Sequence, residues 1–183
     1  LVSKAIKGSK VLAFADLELP LGDGERMWTP KLEARVVQDL TLEPGDEVLE
    51  IGTGSGYLTA LLAALGAKVT SVEINPRLAA MARQNLDRAG LREVTLAIGD
   101  GARGWGRGEY DAIVLTGSTP RLDDAFLRQL KPGGRVFAVV GDAPVMTARI
   151  IRWVGAGSFT TTDRFETVIA PLHNAAAPAR FAL

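Results

Sequence analysis

The chain has 183 residues, no cysteine and one histidine, His173, and its 21 Lys and Arg balance 21 Asp and Glu. That length suits one domain, which buries roughly 70% of the surface its unfolded form exposes and needs neither disulfide nor metal to fold. One histidine argues against a His-based triad, a zinc site or a haem site. Zero net charge withholds the positive field that drives non-specific nucleic-acid binding.

Apolar residues make up 47% and charged residues 23%, ordinary for a soluble globular protein. No apolar run approaches the ~18 residues of a membrane span. The start, LVSKAIKGSK, has no apolar stretch after its lysines, unlike a signal peptide. It begins with Leu, so a longer natural N-terminus is expected. These features suggest the cytoplasm, with no membrane and no nucleic-acid partner. Oligomeric state is not legible.

Residues 1–29 are expected to be an irregular N-terminal segment, turn-rich at LPLGDGE, with Lys4, Lys7 and Lys10 on a solvated face. From Thr29 the pattern becomes regular. Thr29-Pro30 is a helix start, with an N-cap hydroxyl and proline at N1. Leu32, Val36, Val37 and Leu40 follow at helical spacing. Glu47–Ile51 is a buried strand, Gly52–Gly56 a glycine-rich turn, and Leu58, Leu61, Leu62 and Leu65 a helix stripe ending at Gly66. Lys68–Glu73 is a second strand. Asn75-Pro76 opens a helix that Gly90 stops. Val94–Ile98 and Tyr110–Leu115 are further strands. Thr119-Pro120 is expected to open a helix with Leu122, Phe126 and Leu130 inward, and Pro132-Gly133-Gly134 to end it before the strand Arg135–Val140.

Strands alternating with helices imply an α/β fold: a mostly parallel twisted sheet with helices on both faces. After Val140 there is no room for a crossover helix. The strand-like Arg149–Val154 and Phe159–Leu172 should therefore pair antiparallel. The main domain is expected over 30–173, with a tail at 174–183.

The turn Gly52-Thr53-Gly54-Ser55-Gly56 follows a buried strand and opens a helix. There glycines allow close backbone approach, and the helix N-terminus favours an anionic group. Glu73, 21 residues after Gly52, ends the next strand, where a carboxylate can hold ribose hydroxyls. Asp100-Gly101 ends the third strand, where an acceptor can meet an adenine amino group. The spacing is GxGxG rather than GxGxxG, because position 57 is Tyr, and the chain is too short for a second nucleotide-binding half. Glu50 with these glycines, Glu73 and Asp100 resembles the S-adenosylmethionine (SAM) site of Rossmann-like methyltransferases. The candidate cofactor residues are Glu50, Gly52, Thr53, Gly54, Ser55, Gly56, Tyr57, Glu73, Ile74, Asp100, Gly101 and Thr116. Glu50 taken alone also fits a strand-end acceptor for loop N–H groups, and Tyr57 equally fits helix packing.

Over Ala13–Leu172 the chain resembles the protein-L-isoaspartate O-methyltransferase family. The resemblance rests on AFADLELPLGDG, LEPGDEVLEIGTGSGY, GDGARGW, YDAIVLTGS, LRQLKPGGRVFAVVG and the closing FETVIAPL. It implies SAM-dependent methylation of the free carboxylate of isoaspartyl residues in damaged proteins, which begins their repair. It also implies that residues are missing before Leu1.

Where the family carries Gln-Thr-Ile-Ser-Gln, this chain has Glu25-Arg26-Met27-Trp28-Thr29. Trp28 stands at the family's substrate-side Ser, and either walls the acceptor or belongs to the core. Thr29 supplies a hydroxyl one residue later, or only caps the helix. With Asp16 beside the methyl, these are the candidate catalytic residues. Thr116, Gly117 and Ser118 are expected to border the same crevice. No Pro-Pro-aromatic follows the fourth strand, as amino and amide methyltransferases of this fold often carry. Asp123 and Asp124 read as solvated helix residues rather than metal ligands, and no basic face suggests RNA. The alternatives are a SAM-dependent methyltransferase with another small-molecule or RNA acceptor, and a SAM-binding module that has lost catalysis.

Overall fold

The computed structural model describes residues 16–176. Lys4, Lys7 and Lys10, and residues 177–183 of the expected tail, lie outside that range.

The main sheet has seven strands in the order β5-β4-β3-β6-β7-β8-β9. They are β3 Glu47–Ile51, β4 Lys68–Glu73, β5 Thr95–Ile98, β6 Tyr110–Leu115, β7 Leu130–Asp142, β8 Val145–Gly155 and β9 Ser158–Glu166. Strands β5 to β7 run parallel, and β8 and β9 are antiparallel additions. The expected α/β architecture is therefore observed. The chain winds outward from β3 through β4 to β5, then returns to place β6 on the other side of β3. That reversal opens a crevice beyond the C-terminal ends of β3 and β6, where open α/β sheets take ligands.

The helices are α1 Pro30–Leu40, α2 Tyr57–Ala64, α3 Pro76–Arg88 and α4 Asp124–Arg128. Alternation along the strands separates two cores. Val48, Val114 and Phe137 pack with Val36 and Leu40 of α1, Leu62 of α2 and Leu86 of α3. Leu49, Ile113 and Val136 pack with Phe126 of α4 on the opposite face.

Helix α1 starts as its sequence suggests: Thr29 Oγ1 accepts from Leu32 N at 3.3 Å, with Pro30 at the first position. Its C-terminus is tied to β7 by the buried Arg135, which donates to the carbonyls of Leu40 and Thr41 and to Asp46. The charge is thus buried with partners, as a buried cation must be.

Three expectations are corrected. Residues 1–29 are not irregular throughout: β1 Leu19–Gly22 and β2 Glu25–Met27 form an antiparallel hairpin. Its turn residues Asp23 and Gly24 both have positive φ, as a tight two-residue hairpin loop requires. The fourth helix begins at Asp124, capped by Asp123, not at Thr119-Pro120. Thr119 instead extends along the sheet, donating its N–H to Val139 O and accepting from Gly141 N. Finally, Pro132-Gly133-Gly134 does not precede the fifth strand but lies within β7.

Candidate functional site

A pocket of about 440 Å³ lies over the crevice, a size suited to a small-molecule ligand. Its floor is the turn after β3 and the ends of β4, β5 and β6. The hairpin β1–β2 walls one side, and Ala170–His173 another. The hairpin is held by α3: Arg77 Nε donates to Asp23 Oδ2 at 2.7 Å, and Arg77 Nη2 to Leu21 O at 2.9 Å. His173 Nε2 lies 2.7 Å from Glu25 Oε1 and joins the two walls.

The turn is shaped by its glycines. Gly52 has φ of 96°, and a Cβ there would collide with the Thr116 hydroxyl. That hydroxyl lies 2.9 Å from Ile51 O and 2.8 Å from Gly52 O, so Thr116 stitches β6 to β3. Gly54 has φ of 54°, and its N–H donates to Glu73 Oε2 at 2.8 Å. The other oxygen of Glu73 accepts from Asn75 N at 2.9 Å. Each oxygen keeps a second lone pair. Asp100 accepts from Ala102 N through Oδ1 and from Asn174 Nδ2 through Oδ2.

Glu50 is fully buried. Its Oε2 accepts from Thr59 Oγ1 at 2.5 Å and Ser71 Oγ at 2.6 Å. Thr53 Oγ1, 2.6 Å from Ser71 Oγ, extends the network. Burial outweighs those two hydrogen bonds and, with the Glu73 charge, pushes the Glu50 carboxyl up to about 7.

The structure brings Trp28, Glu50, Gly52, Thr53, Gly54, Ser55, Glu73, Ile74, Asp100, Gly101 and Thr116 to the pocket lining, with Gly117. Asp16, Thr29, Gly56, Tyr57 and Ser118 are not among the lining residues. Asp16 accepts from Lys31 N and Thr29 from Leu32 N, so both stand at the start of α1. Ser118 donates to Ile169 O. Trp28 is both lining and core: it is 8% exposed and meets Phe137 edge-on at 6.5 Å.

Several lining residues escaped the sequence reading, and Glu33 is the buried acid among them. Glu33, on the first turn of α1, is 3% exposed, and its Oε2 has no partner among the described residues. A signal existed: Glu33 precedes Val36 by three and Leu40 by seven, so it shares their buried face. The ionisable lining is otherwise also mostly acidic, with Glu18, Asp23, Glu25, Glu50, Glu73 and Asp100 against Arg26 and His173.

Burial, helped by the charge of Glu50, pushes the Glu33 carboxyl up from 4.5 to about 9. Glu33 is therefore neutral in the fold near pH 7 but ionises in the unfolded chain. A raised folded value makes the native state bind more protons between those limits, so stability falls as pH rises through them. Glu33→Gln should flatten that fall. Between pH 5 and pH 8 the parent should lose up to about 4 kcal/mol more stability than the variant, one titrating group over three units. Denaturant melts at both pH values measure it, and parallel slopes in parent and variant would contradict it.

The chain matches the family profile of protein-L-isoaspartate(D-aspartate) O-methyltransferase over residues 5–176. It is 44% identical over 136 residues to a protein-L-isoaspartate O-methyltransferase of Methanoculleus marisnigri, covering 74% of this chain and 62% of that one. It is 45% identical over 148 residues to that of Anaeromyxobacter dehalogenans, covering 80% and 70%. The chain thus spans about three fifths of the Methanoculleus relative's length. A solved protein-L-isoaspartate O-methyltransferase superposes with a TM-score of 0.79 at 26% identity, covering 88% of this chain and 54% of that one. A Plasmodium falciparum structure described as such an enzyme, in complex with S-adenosyl-L-homocysteine (SAH), has a TM-score of 0.82 at 19% identity, covering 93% and 85%, a likeness of fold. With the match running through nearly the whole described chain, this protein belongs to the protein-L-isoaspartate(D-aspartate) O-methyltransferase family.

Proposed function

We propose that the chain binds SAM over β3–β6 and methylates the free carboxylate of isoaspartyl residues in damaged peptides or proteins. The observation carrying the cofactor half is a row of acids across neighbouring strands: Asp100 after β5, Glu73 ending β4 and Glu50 in β3, around the glycine turn. The residues fit the group. Gly54 leaves open space where a side chain would intrude, with only Leu21 Cδ1 within reach of a Cβ. Glu73 has lone pairs for ribose hydroxyls, and Asp100 stands one strand further for the adenine. Glu50 Oε1 is buried without a partner among the described residues.

When bound, SAM supplies a methyl activated on a sulfonium. An acceptor α-carboxylate is ionised above about pH 3.5 and needs no general base. What the chain must do is orient and exclude water. In this reading the hairpin and the Ala170–His173 wall enclose the reacting groups, and Trp28 forms an apolar wall on the acceptor side. Asp16 and Thr29 act through α1 as positioning residues. Membership of the family and the names of the relatives support the isoaspartyl substrate. The chain would act in the cytoplasm, as its lack of cysteine suggests.

Calorimetry tests the cofactor half. The parent should bind SAM and SAH, and Glu73→Ala should weaken both by about 1.5–3 kcal/mol, the range for hydrogen bonds to a charged group. Unchanged affinity in a folded Glu73→Ala variant would remove Glu73 from the site.

A further inference from the structure

We propose that Asp23-Gly24, the turn of the β1–β2 hairpin, is a site where this chain forms an isoaspartyl linkage in itself, and that Arg77 holds the reaction back. Neither part requires the cofactor. The chain contains the sequence Asp-Gly twice, at 23–24 and at 100–101. Among aspartyl sequences Asp-Gly is the most open to this change, because glycine sets no side chain beside the nitrogen that must attack. The structure separates the two sites. Asp23 and Gly24 are exposed, at φ of 56° and 84°, and a Cβ on Gly24 would meet nothing within 4 Å. Gly101 is buried, and a Cβ there would stand 2.8 Å from Ile51 Cδ1. Both carboxyl oxygens of Asp100 are engaged, by Ala102 N and Asn174 Nδ2. Turning the backbone at residue 23 moves Gly24 through open space, whereas at residue 100 it drives Gly101 against the core.

The Gly24 nitrogen attacks Cγ of Asp23. The nitrogen gives up its proton and the carboxyl its hydroxyl, which leave together as water, and a cyclic imide remains. Water then adds back to either carbonyl. Opening on the side-chain side restores aspartate; opening on the main-chain side leaves the chain joined through Cγ, with a free α-carboxylate. The neutral carboxyl is the reactive form, since a carboxylate has no hydroxyl to lose.

Arg77 opposes both the movement and the protonation. Its Nε donates to Asp23 Oδ2 at 2.7 Å, and Asn75 Nδ2 donates to the same oxygen at 3.0 Å. These bonds tether the carboxyl to the start of α3. The hydrogen bonds from Asn75 and Arg77 also hold it below the ordinary carboxylate value, so it stays ionised. Conversion would lengthen the loop by one methylene and draw the carboxyl away from Arg77, in a wall of the pocket.

Parent, Arg77→Leu, Arg77→Gln and Asp23→Glu are incubated without SAM at physiological pH and temperature. Tryptic peptides ending at Arg26 and Arg103 are then followed over weeks by mass spectrometry with electron-transfer fragmentation, which tells the two linkages apart. The parent should accumulate isoaspartate at Asp23 faster than at Asp100. Either Arg77 variant should quicken Asp23 about two- to fivefold, as loss of an exposed ion pair allows, and leave Asp100 unchanged. Asp23→Glu should remove the signal, because its longer side chain closes the imide ring far more slowly. Melting temperatures establish folding, and one folded Arg77 variant suffices. Isoaspartate no faster at Asp23 than at Asp100, or an unchanged rate at Asp23 in a folded Arg77 variant, overturns the proposal.

Discussion

Replacing Gly54 by valine should abolish SAH binding, an effect of at least about 100-fold, or ~2.7 kcal/mol. Gly54 sits at φ of 54°, in the left-handed region where a β-branched residue is a conformational outlier. Its Cβ would stand 3.3 Å from Leu21 Cδ1, and the valine methyls would extend further into the space between the turn and the hairpin. The same residue donates its N–H to Glu73, so any shift of the turn also displaces the proposed ribose carboxylate. Strain at one such residue costs about 1–3 kcal/mol, which leaves a folded variant for calorimetry. A folded Gly54→Val protein that binds SAH like the parent would show that the ligand does not approach this turn.

The second large effect is on stability. Trp28→Ser should destabilise the fold by about 3–5 kcal/mol, the cost of removing a large buried aromatic. Trp28 is 8% exposed, packs edge-on against Phe137 and joins the core beneath α1. The loss should appear as a lower urea midpoint with an unchanged slope, because the surface exposed on unfolding hardly changes. Because Trp28 also lines the pocket, its removal should widen the acceptor side without touching the proposed ribose contacts at Glu73. A stability equal to the parent's would mean that the indole contributes little packing.

Much of the parallel core is legible in the sequence because local signals and burial agree there. The bounds of β3, β4 and β6 follow from short apolar runs between turn residues. The starts of α1 and α3 follow from Thr29-Pro30 and Asn75-Pro76, whose side chains cap as their chemistry dictates. The misses are places where tertiary pairing decides. The β1–β2 hairpin has strands of four and three residues interrupted by Pro20, too short for an alternating pattern to stand out. Its Asp23-Gly24 turn was the available clue. Thr119-Pro120 has the form of a helix start, but hydrogen bonds to Val139 and Gly141 keep Thr119 extended beside β7. The glycines after Pro132 look like a stop, yet the chain runs on as β7 and then pairs with β8.

The site divides along the same line. The acids at the strand ends are visible because the turn that follows each strand marks them. Glu33 is hidden because an acid in the first turn of a helix has an ordinary electrostatic explanation, and only its phase with Val36 and Leu40 betrays burial. Conversely, Asp16, Thr29 and Tyr57 fall near the glycine turn in sequence or in family pattern but not in the lining of the pocket.

Methyl transfer to a peptide carboxylate is the decisive measurement. The chain should be incubated with SAM labelled in its methyl group and either an isoaspartyl peptide or the matched aspartyl peptide. Label is expected in the isoaspartyl peptide alone, held as a base-labile methyl ester and accompanied by an equal amount of SAH. No label in the isoaspartyl peptide while the chain binds SAM, or equal labelling of both peptides, would contradict the proposed function.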